Sequence, residues 1–216
     1  LMVAAGGVHR PALAVFRWVA VVGFVVALIV RYRRSERLAL ARQILLQAAV
    51  HQGPADLAIS VFTDNPADWD WAKWLPHVII DGSVRRRLAG SDEETAALVA
   101  TLPQGEPAPE APQHLLIVDL PDLVAGPRAE LRAALQRGRA CRIAGVALAA
   151  RPLDLPSLST TIVAIEEGAA RVRFPGGECV AVAPWGIGAQ GARAIARAVF
   201  HASPAAGDAL PCWSSL

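Results

Sequence analysis

The stretch HLLIVDL, residues 114–120, is the part of the sequence that decides the fold. Four consecutive apolar residues are followed by Asp119. An unbroken apolar run of this length predicts a strand buried on both faces, which is typical of a parallel sheet. An acid at the end of such a strand lies at the carboxyl edge of the sheet, where α/β proteins bind their ligands.

Apolar strands and amphipathic helices alternate on both sides of this stretch. Strands are predicted at 56–64, 77–81 and 141–150, with a hairpin at 160–174, and helices at 35–53, 91–102, 126–138 and 186–201. A serine and acids open the second helix, and proline and glycine bracket the third. This alternation predicts an α/β fold of three layers, with a mostly parallel sheet between helices on both faces.

Asp119 also ends a string of the Walker B type, in which an acid holds magnesium on a bound nucleotide. Asp122 follows it, and the alternative for Asp122 is a plain turn residue. A Walker A motif, GxxxxGK[ST], is absent from the sequence. The only lysine, Lys73, stands between two tryptophans with no glycine-rich loop before it. The sequence therefore offers the metal-holding acid of a nucleotide site without its phosphate loop.

Residues 12–30, ALAVFRWVAVVGFVVALIV, are the most apolar run and have the length of a membrane-spanning helix. Four arginines follow within residues 31–37, which places the C-terminal bulk in the cytoplasm. The alternative is a buried strand, because residues 18–30 are rich in valine. The predicted organisation is an N-terminal segment at 1–35, a domain at 36–210 and a tail at 211–216.

Composition excludes several classes of function. A formal charge of +2 gives no support to a nucleic-acid partner. Three distant cysteines without a CxxC pair indicate neither a disulfide framework nor a zinc site. The five histidines are scattered, and no GxSxG or HExxH motif occurs, so no metal site is predicted.

Three of the six tryptophans crowd the stretch DWDWAKWLP, residues 68–76. With Asp68 as a helix cap, Trp71 and Trp74 would share one face of a short helix. Trp69, Trp71 and Trp74 could pack on the domain's own sheet, or they could anchor a neighbouring domain or subunit, since tryptophan is enriched in interface hot spots.

Four segments together resemble the FtsK/SpoIIIE-type ATPases, in particular the EccC/EssC-like subset of type VII secretion. They are LALARQILLQAAVHQGPADLAISVFTD, DWDWAKWLPH, HLLIVDLPDL and TTIVAIEEGAARVRFPG, within residues 36–210. The resemblance implies a RecA-like, P-loop NTPase-like fold, with Asp119 at the Walker B position and Asp122 after it. Where the family would have a strand and a degenerate phosphate loop, this chain has VAVVGFVVALIVRYRRS.

The function implied by the resemblance is a membrane-proximal, catalytically silent ATPase-like module of a protein or DNA translocase. ATP and magnesium are expected for the parent family, and no cofactor for this segment. Expected partners are downstream ATPase domains or subunits, the cell membrane with the domain on its cytoplasmic face, and further copies in a homo-oligomer. The alternatives are a soluble α/β nucleotide-binding enzyme and a membrane-tethered interaction domain.

Overall fold

The computed structural model describes residues 25–30, 34–80, 85–151, 154–166, 169–183 and 186–202. Its strands are β1 (Val25–Val30), β2 (Leu57–Thr63), β3 (Leu88–Ala89), β4 (Gln113–Asp119), β5 (Ile143–Ala149), β6 (Thr161–Glu166), β7 (Ala169–Arg173) and β8 (Cys179–Val182). Its α-helices are α1 (Arg34–His51), α2 (Pro66–Trp69), α3 (Asp92–Val99), α4 (Gly126–Arg137) and α5 (Ala189–Ala202). Short 3-10 helices lie at Asp70–Trp74, Pro76–Val78 and Gly138–Cys141.

The strands form one sheet in the order β3-β2-β4-β5-β1-β6-β7-β8. Every pairing from β3 to β6 is parallel, and β7 and β8 add an antiparallel extension. Strands β4 and β5 are almost completely buried, because their unbroken apolar sequences face helices on both sides. The predicted α/β fold with a mostly parallel sheet is confirmed.

Two apolar clusters cover the two faces of the sheet. One contains buried residues of α1, α5 and the segment after β2, among them Leu45, Trp71 and Ala192. The other contains buried residues of α3 and α4, among them Leu98 and Leu131. Helices therefore lie on both faces, as the alternating pattern predicted.

The membrane-spanning helix predicted at 12–30 is wrong for residues 25–30, which form β1. This strand pairs in parallel with β5 on one side and with β6 on the other. Residues 12–24 lie outside the described part of the chain. Among the described residues, no helix is both long enough and apolar enough to cross a membrane. The valines and other apolar residues of Val25–Val30 thus belong to a strand at the centre of the sheet.

Two other local predictions need correction. The strand predicted at 77–81 is a 3-10 helix at Pro76–Val78 followed by a single bridge between Ile79 and Arg86. Asp68 does not cap a helix; it lies within α2, where Asn65 takes the capping position. Both differences arise from short elements, whose geometry is set by tertiary contacts more than by local sequence.

The stretch GIGAQG, residues 186–191, leads into α5, which begins at Ala189, three residues later than the helix predicted at 186–201. A Cβ atom built on Gly186 would lie 2.6 Å from the Cβ of Ala39 in α1. Next to it, the backbone N–H of Ile187 donates to the carbonyl of Ala39 at 3.0 Å. Gly186 is therefore explained by the close approach of two segments of the chain.

Candidate functional site

The carboxylate of Asp119 lies at the carboxyl end of β4 and is 7% exposed. Its Oδ2 atom accepts three hydrogen bonds: from Arg34 Nη2 at 2.8 Å, from Trp69 Nε1 at 3.0 Å and from Thr63 Oγ1 at 3.2 Å. Three donors from three other parts of the chain thus converge on one oxygen. Such convergence fixes the position of the carboxylate.

The topology explains why these residues meet. Thr63 ends β2, and in the parallel pairing of β2 with β4 it stands opposite Asp119. Trp69 ends α2, the short helix that follows β2. Arg34 opens α1, the helix that follows the central strand β1. All of them lie at the carboxyl edge of the sheet, where the sequence predicted a site.

Arg34 holds a second carboxylate in addition to Asp119. Its Nε and Nη2 atoms donate to Asp68 Oδ2 at 3.1 and 3.0 Å. Arg42, one of the most buried charged residues, donates from Nη2 to the backbone carbonyl of Asp68 at 3.1 Å. The cluster therefore ties the start of α1 to both α2 and the end of β4.

A third arginine, Arg37, lies close to this cluster. Burial lowers its pKa, the positive charge of Arg34 lowers it further, and the negative charge of Asp119 partly offsets both. Burial also lowers the pKa of Arg42, against the raising effect of the carboxylates of Asp68 and Asp119. Three guanidinium groups and two carboxylates thus share this edge of the sheet, and the two acids already have internal counter-ions.

The arrangement does not fit a magnesium-bound nucleotide, which the resemblance implied for the parent family. A metal ion on Asp119 Oδ2 would have to displace or lie beside the guanidinium of Arg34, which carries the same sign of charge. The Nζ atom of Lys73 pairs instead with Asp70 Oδ1 at 2.7 Å. Among the described residues, no group of three or more acidic, histidine or cysteine side chains could hold a metal ion.

Asp122, the second predicted site residue, belongs to a different network. Its side chain is 55% exposed and lies 3.8 Å from Arg128 Nη1. Arg128 also pairs with Asp64 and Asp92, each at 3.0 Å. The hydrogen bond that Arg128 Nε donates to Asp92 Oδ1 is the largest of the effects that raise the pKa of Arg128. The structure therefore places Asp119 and Asp122 in separate clusters.

The tryptophans have two different environments. Trp69 and Trp71 are each 1% exposed, with ring centroids 6.2 Å apart. Trp74 is only partly buried, with the ring of Phe200 at 6.5 Å and Arg197 stacked over it at 4.6 Å. Because Trp69 and Trp71 are buried within the chain, a partner cannot contact their rings. The prediction that the tryptophans anchor a neighbouring domain or subunit can therefore apply only to Trp74 and its surroundings.

Sequence reasoning missed Arg34 and Thr63. Arg34 belongs to the RYRRSER stretch, which follows an apolar run and is therefore typical of the charged flank of a membrane helix. No local pattern marks it as the partner of an acid 85 residues further along the chain. Once β1 is recognised as the central strand, Arg34 occupies the first turn of the next helix, where the sheet edge is within reach.

His114 lies at the other end of β4 from the predicted site. Burial, together with the charge of Arg87, lowers its pKa to about 4. Its folded pKa is thus below the ordinary value of 6.5, so the unfolded chain takes up the proton first as the pH falls. Stability from the neutral imidazole is complete above pH 6.5 and is lost as the pH falls towards 4.

We therefore expect the free energy of unfolding to fall by about 2–3 kcal/mol between pH 7.5 and pH 4.5 because of His114. Urea titrations at the two pH values measure this difference. In His114→Gln the pH dependence should be reduced by that amount, whereas His51→Gln, at an exposed position of α1, should leave it unchanged. Equal pH dependence in the native chain and His114→Gln would contradict the prediction.

Comparison with known proteins gives partial matches. No protein-family model matches the chain. The ESX-3 secretion system protein EccC3 of Mycobacterium tuberculosis is 33% identical over 106 residues, which cover 43% of this chain and 8% of that protein. The ESX-5 secretion system protein EccC5 of Mycobacterium marinum is 35% identical over 60 residues, covering 28% of this chain and 4% of that protein. The chain thus spans less than a tenth of these relatives.

Two solved structures of EccC from Thermomonospora curvata share the fold. ATPases 2 and 3 of that protein, in complex with a signal sequence peptide, match with a TM-score of 0.54 at 12% identity, over 76% of this chain and 37% of that one. The cytoplasmic domain of the type VII secretion ATPase EccC matches with a TM-score of 0.50 at 12% identity, over 76% of this chain and 24% of that one. The predicted resemblance to EccC-like type VII secretion ATPase domains is confirmed.

Proposed function

We propose that this EccC-like chain is a catalytically silent, RecA-like ATPase module of a type VII secretion protein. One observation carries the proposal: the Walker B-like carboxylate of Asp119 is 2.8 Å from the guanidinium of Arg34. In an active site of this class, the equivalent acid holds magnesium, and the phosphate loop positions the nucleotide. Here the guanidinium of Arg34 is the counter-ion of Asp119.

The phosphate-binding side of the site gives independent support. Phosphoryl transfer depends on positioned cations and backbone donors around the phosphates. The sequence contains no Walker A lysine, and α1 opens with an arginine whose hydrogen bonds go to Asp68 and Asp119. Arginine's planar fork also differs in shape and reach from the lysine that normally contacts these phosphates. Asp119, at the position of the metal-holding acid, and Arg34, at the start of α1, thus both bond to groups of the chain itself.

Association with other modules completes the proposal. A silent module contributes to a translocase by binding downstream ATPase domains or subunits, and the half-buried Trp74 with Arg197 above it is the candidate contact. Membrane proximity and a position on the cytoplasmic face are proposed from the resemblance alone. The soluble nucleotide-binding enzyme is disfavoured by the occupied carboxylate of Asp119.

The proposal predicts that the chain releases phosphate from Mg·ATP at the rate of a protein-free blank. A coupled phosphate assay on the purified chain measures this, with Asp119→Asn as the matched variant. The two proteins should be indistinguishable, because neither assembles a metal-bound nucleotide. Turnover above the blank that is lost in Asp119→Asn would overturn the proposal and favour the enzyme alternative.

A further inference from the structure

A short segment at the carboxyl edge of the sheet makes contacts on both faces. It runs from the last residue of β2 to the last residue of α2, residues 63–69, and we call it the bridging segment. On one face it bonds to Asp119, and on the other it bonds to Arg128. A displacement of this segment therefore changes the surroundings of both side chains.

Thr63 and Asp64 are consecutive residues whose side chains bond on opposite sides of the sheet. Thr63 Oγ1 donates to Asp119 Oδ2 at 3.2 Å, and Arg128 Nη2 donates to Asp64 Oδ1 at 3.0 Å. Successive side chains of a strand point to opposite faces, which explains this arrangement. Trp69, the other neighbour of Asp119, belongs to the apolar cluster with α1 and α5, whereas α4, which carries Arg128, belongs to the other cluster.

The hydroxyl group of Thr63 fixes the backbone on both sides of Asp64. Besides donating to Asp119, it accepts a hydrogen bond from the backbone N–H of Asn65 at 3.0 Å. Asp64 lies between these two residues in the sequence. A shift of Asp64 towards or away from Arg128 therefore displaces the Thr63 hydroxyl relative to Asp119.

The start of α3 also packs against the bridging segment. A Cβ atom built on Gly90 would lie 2.5 Å from the Cγ atom of Pro66, so the two backbones approach closely. Gly90 lies two residues before Asp92, whose Oδ1 atom accepts from Arg128 Nε at 3.0 Å. Arg128 thus holds the start of α3 and the bridging segment at the same time.

The far end of the bridging segment carries the contacts of the other face. Arg34 donates to Asp68 Oδ2, and Trp69 Nε1 donates to Asp119 Oδ2 at 3.0 Å. The 3-10 helix Asp70–Trp74 follows directly. A movement that starts next to Arg128 therefore has a continuous path to the tryptophans.

We infer that the bridging segment couples the two faces of the sheet, so that a change around Arg128 alters the hydrogen bonds of Asp119 and Trp69. Asp92 and Asp122 are 65% and 55% exposed, and a partner that pairs with either acid draws it away from Arg128. The segment then transmits this change to the buried indole of Trp69. Such coupling is carried by contiguous packed and hydrogen-bonded groups. The inference does not depend on whether the chain hydrolyses ATP.

The ion pairs of Arg128 act together as one network. A single exposed ion pair contributes little to stability, whereas several acids on one well-positioned arginine contribute more. Arg128 is only 20% exposed and lies 3.0 Å from both Asp64 and Asp92. Salt screens exposed charges within about 10 Å at 0.1 M. The coupling should therefore be largest at low salt.

Hydrogen exchange of the Trp69 indole N–H, followed by NMR on the full chain at low salt, tests the inference. In Arg128→Gln this exchange should be about tenfold faster than in the native chain, an effect within the usual range of coupling between sites. The backbone N–H of Ile117, in the centre of β4, serves as the reference for global unfolding and should change much less. Arg132→Gln, at an exposed position of the same helix, is the matched control and should leave both rates unchanged.

A second pair of variants tests the role of the Thr63 hydroxyl. Thr63→Val keeps the shape of the side chain and removes the hydroxyl, so adding Arg128→Gln to it should accelerate the Trp69 exchange less than adding it to the native chain. Far-ultraviolet circular dichroism confirms that each variant is folded. Unchanged Trp69 exchange in Arg128→Gln would overturn the inference. Equal acceleration at Trp69 and Ile117, or equal acceleration with and without the Thr63 hydroxyl, would overturn it as well.

Discussion

Replacing Asp119 with alanine is expected to lower the free energy of unfolding by about 3 kcal/mol. The change leaves the buried indole N–H of Trp69 without its acceptor, which costs about 1–3 kcal/mol. It also removes one of the two carboxylates that hold Arg34. Because Arg34 is 41% exposed and can regain water, its contribution is below the 3–5 kcal/mol of a fully buried broken ion pair.

The matched control for this prediction is Asp122→Ala. Asp122 is an exposed acid on the loop after the same strand, 3.8 Å from its cation, so its loss should cost less than about 1 kcal/mol. Urea unfolding of the two variants gives the comparison directly. If Asp119→Ala lowered the free energy of unfolding no more than Asp122→Ala does, the hydrogen bonds to Asp119 would not be stabilising this edge of the sheet.

Trp71→Ala should be still more destabilising, by about 3–5 kcal/mol, because it removes a fully buried indole from the apolar cluster under α1 and α5. Trp74→Ala is the matched control: its ring is only partly buried, so the loss should be about half as large. Thermal or urea unfolding distinguishes the two variants. Equal losses would mean that the two rings are equally important to the core.

Variants of the same two tryptophans, Trp71→Phe and Trp74→Ala, test the proposed interface role. Trp71→Phe keeps most of the apolar volume and leaves no acceptor unpaired, because the Nε1 atom of Trp71 has no hydrogen-bond partner in the described structure. It should therefore bind a downstream ATPase domain as the native chain does. Trp74→Ala should weaken that binding by tenfold or more, the effect typical of a hot-spot tryptophan. Unchanged binding in Trp74→Ala would leave the tryptophan segment with a purely structural role.

The parts of the fold that sequence could predict are those where local pattern and tertiary environment agree. The apolar runs of β4 and β5 predict buried parallel strands, and Ser91 with Glu94 predicts the start of α3, where Glu94 N–H donates to Ser91 Oγ at 3.2 Å. The order of strands in the sheet was not predictable from these patterns. It depends on crossovers that bring β1 between β5 and β6.

The membrane prediction failed for a related reason. A central parallel strand and part of a membrane helix are both unbroken apolar runs, so periodicity cannot separate them over Val25–Val30. Arg34 was missed because its role exists only after folding. Its partners Asp68 and Asp119 are 34 and 85 residues away. Asp119 itself was found because a strand-ending acid is a local pattern, although its counter-ion is an arginine instead of a metal.

The most direct test of the account is the unfolding midpoint of the chain with and without Mg·ATP. A ligand present at 100 times its dissociation constant would stabilise the folded state by about 2.7 kcal/mol. Because Arg34 already occupies the carboxylate of Asp119, we predict that the midpoint in millimolar Mg·ATP equals that in ATP with a chelator. A midpoint that Mg·ATP raises in the native chain, with no such rise in Asp119→Asn, would contradict the account.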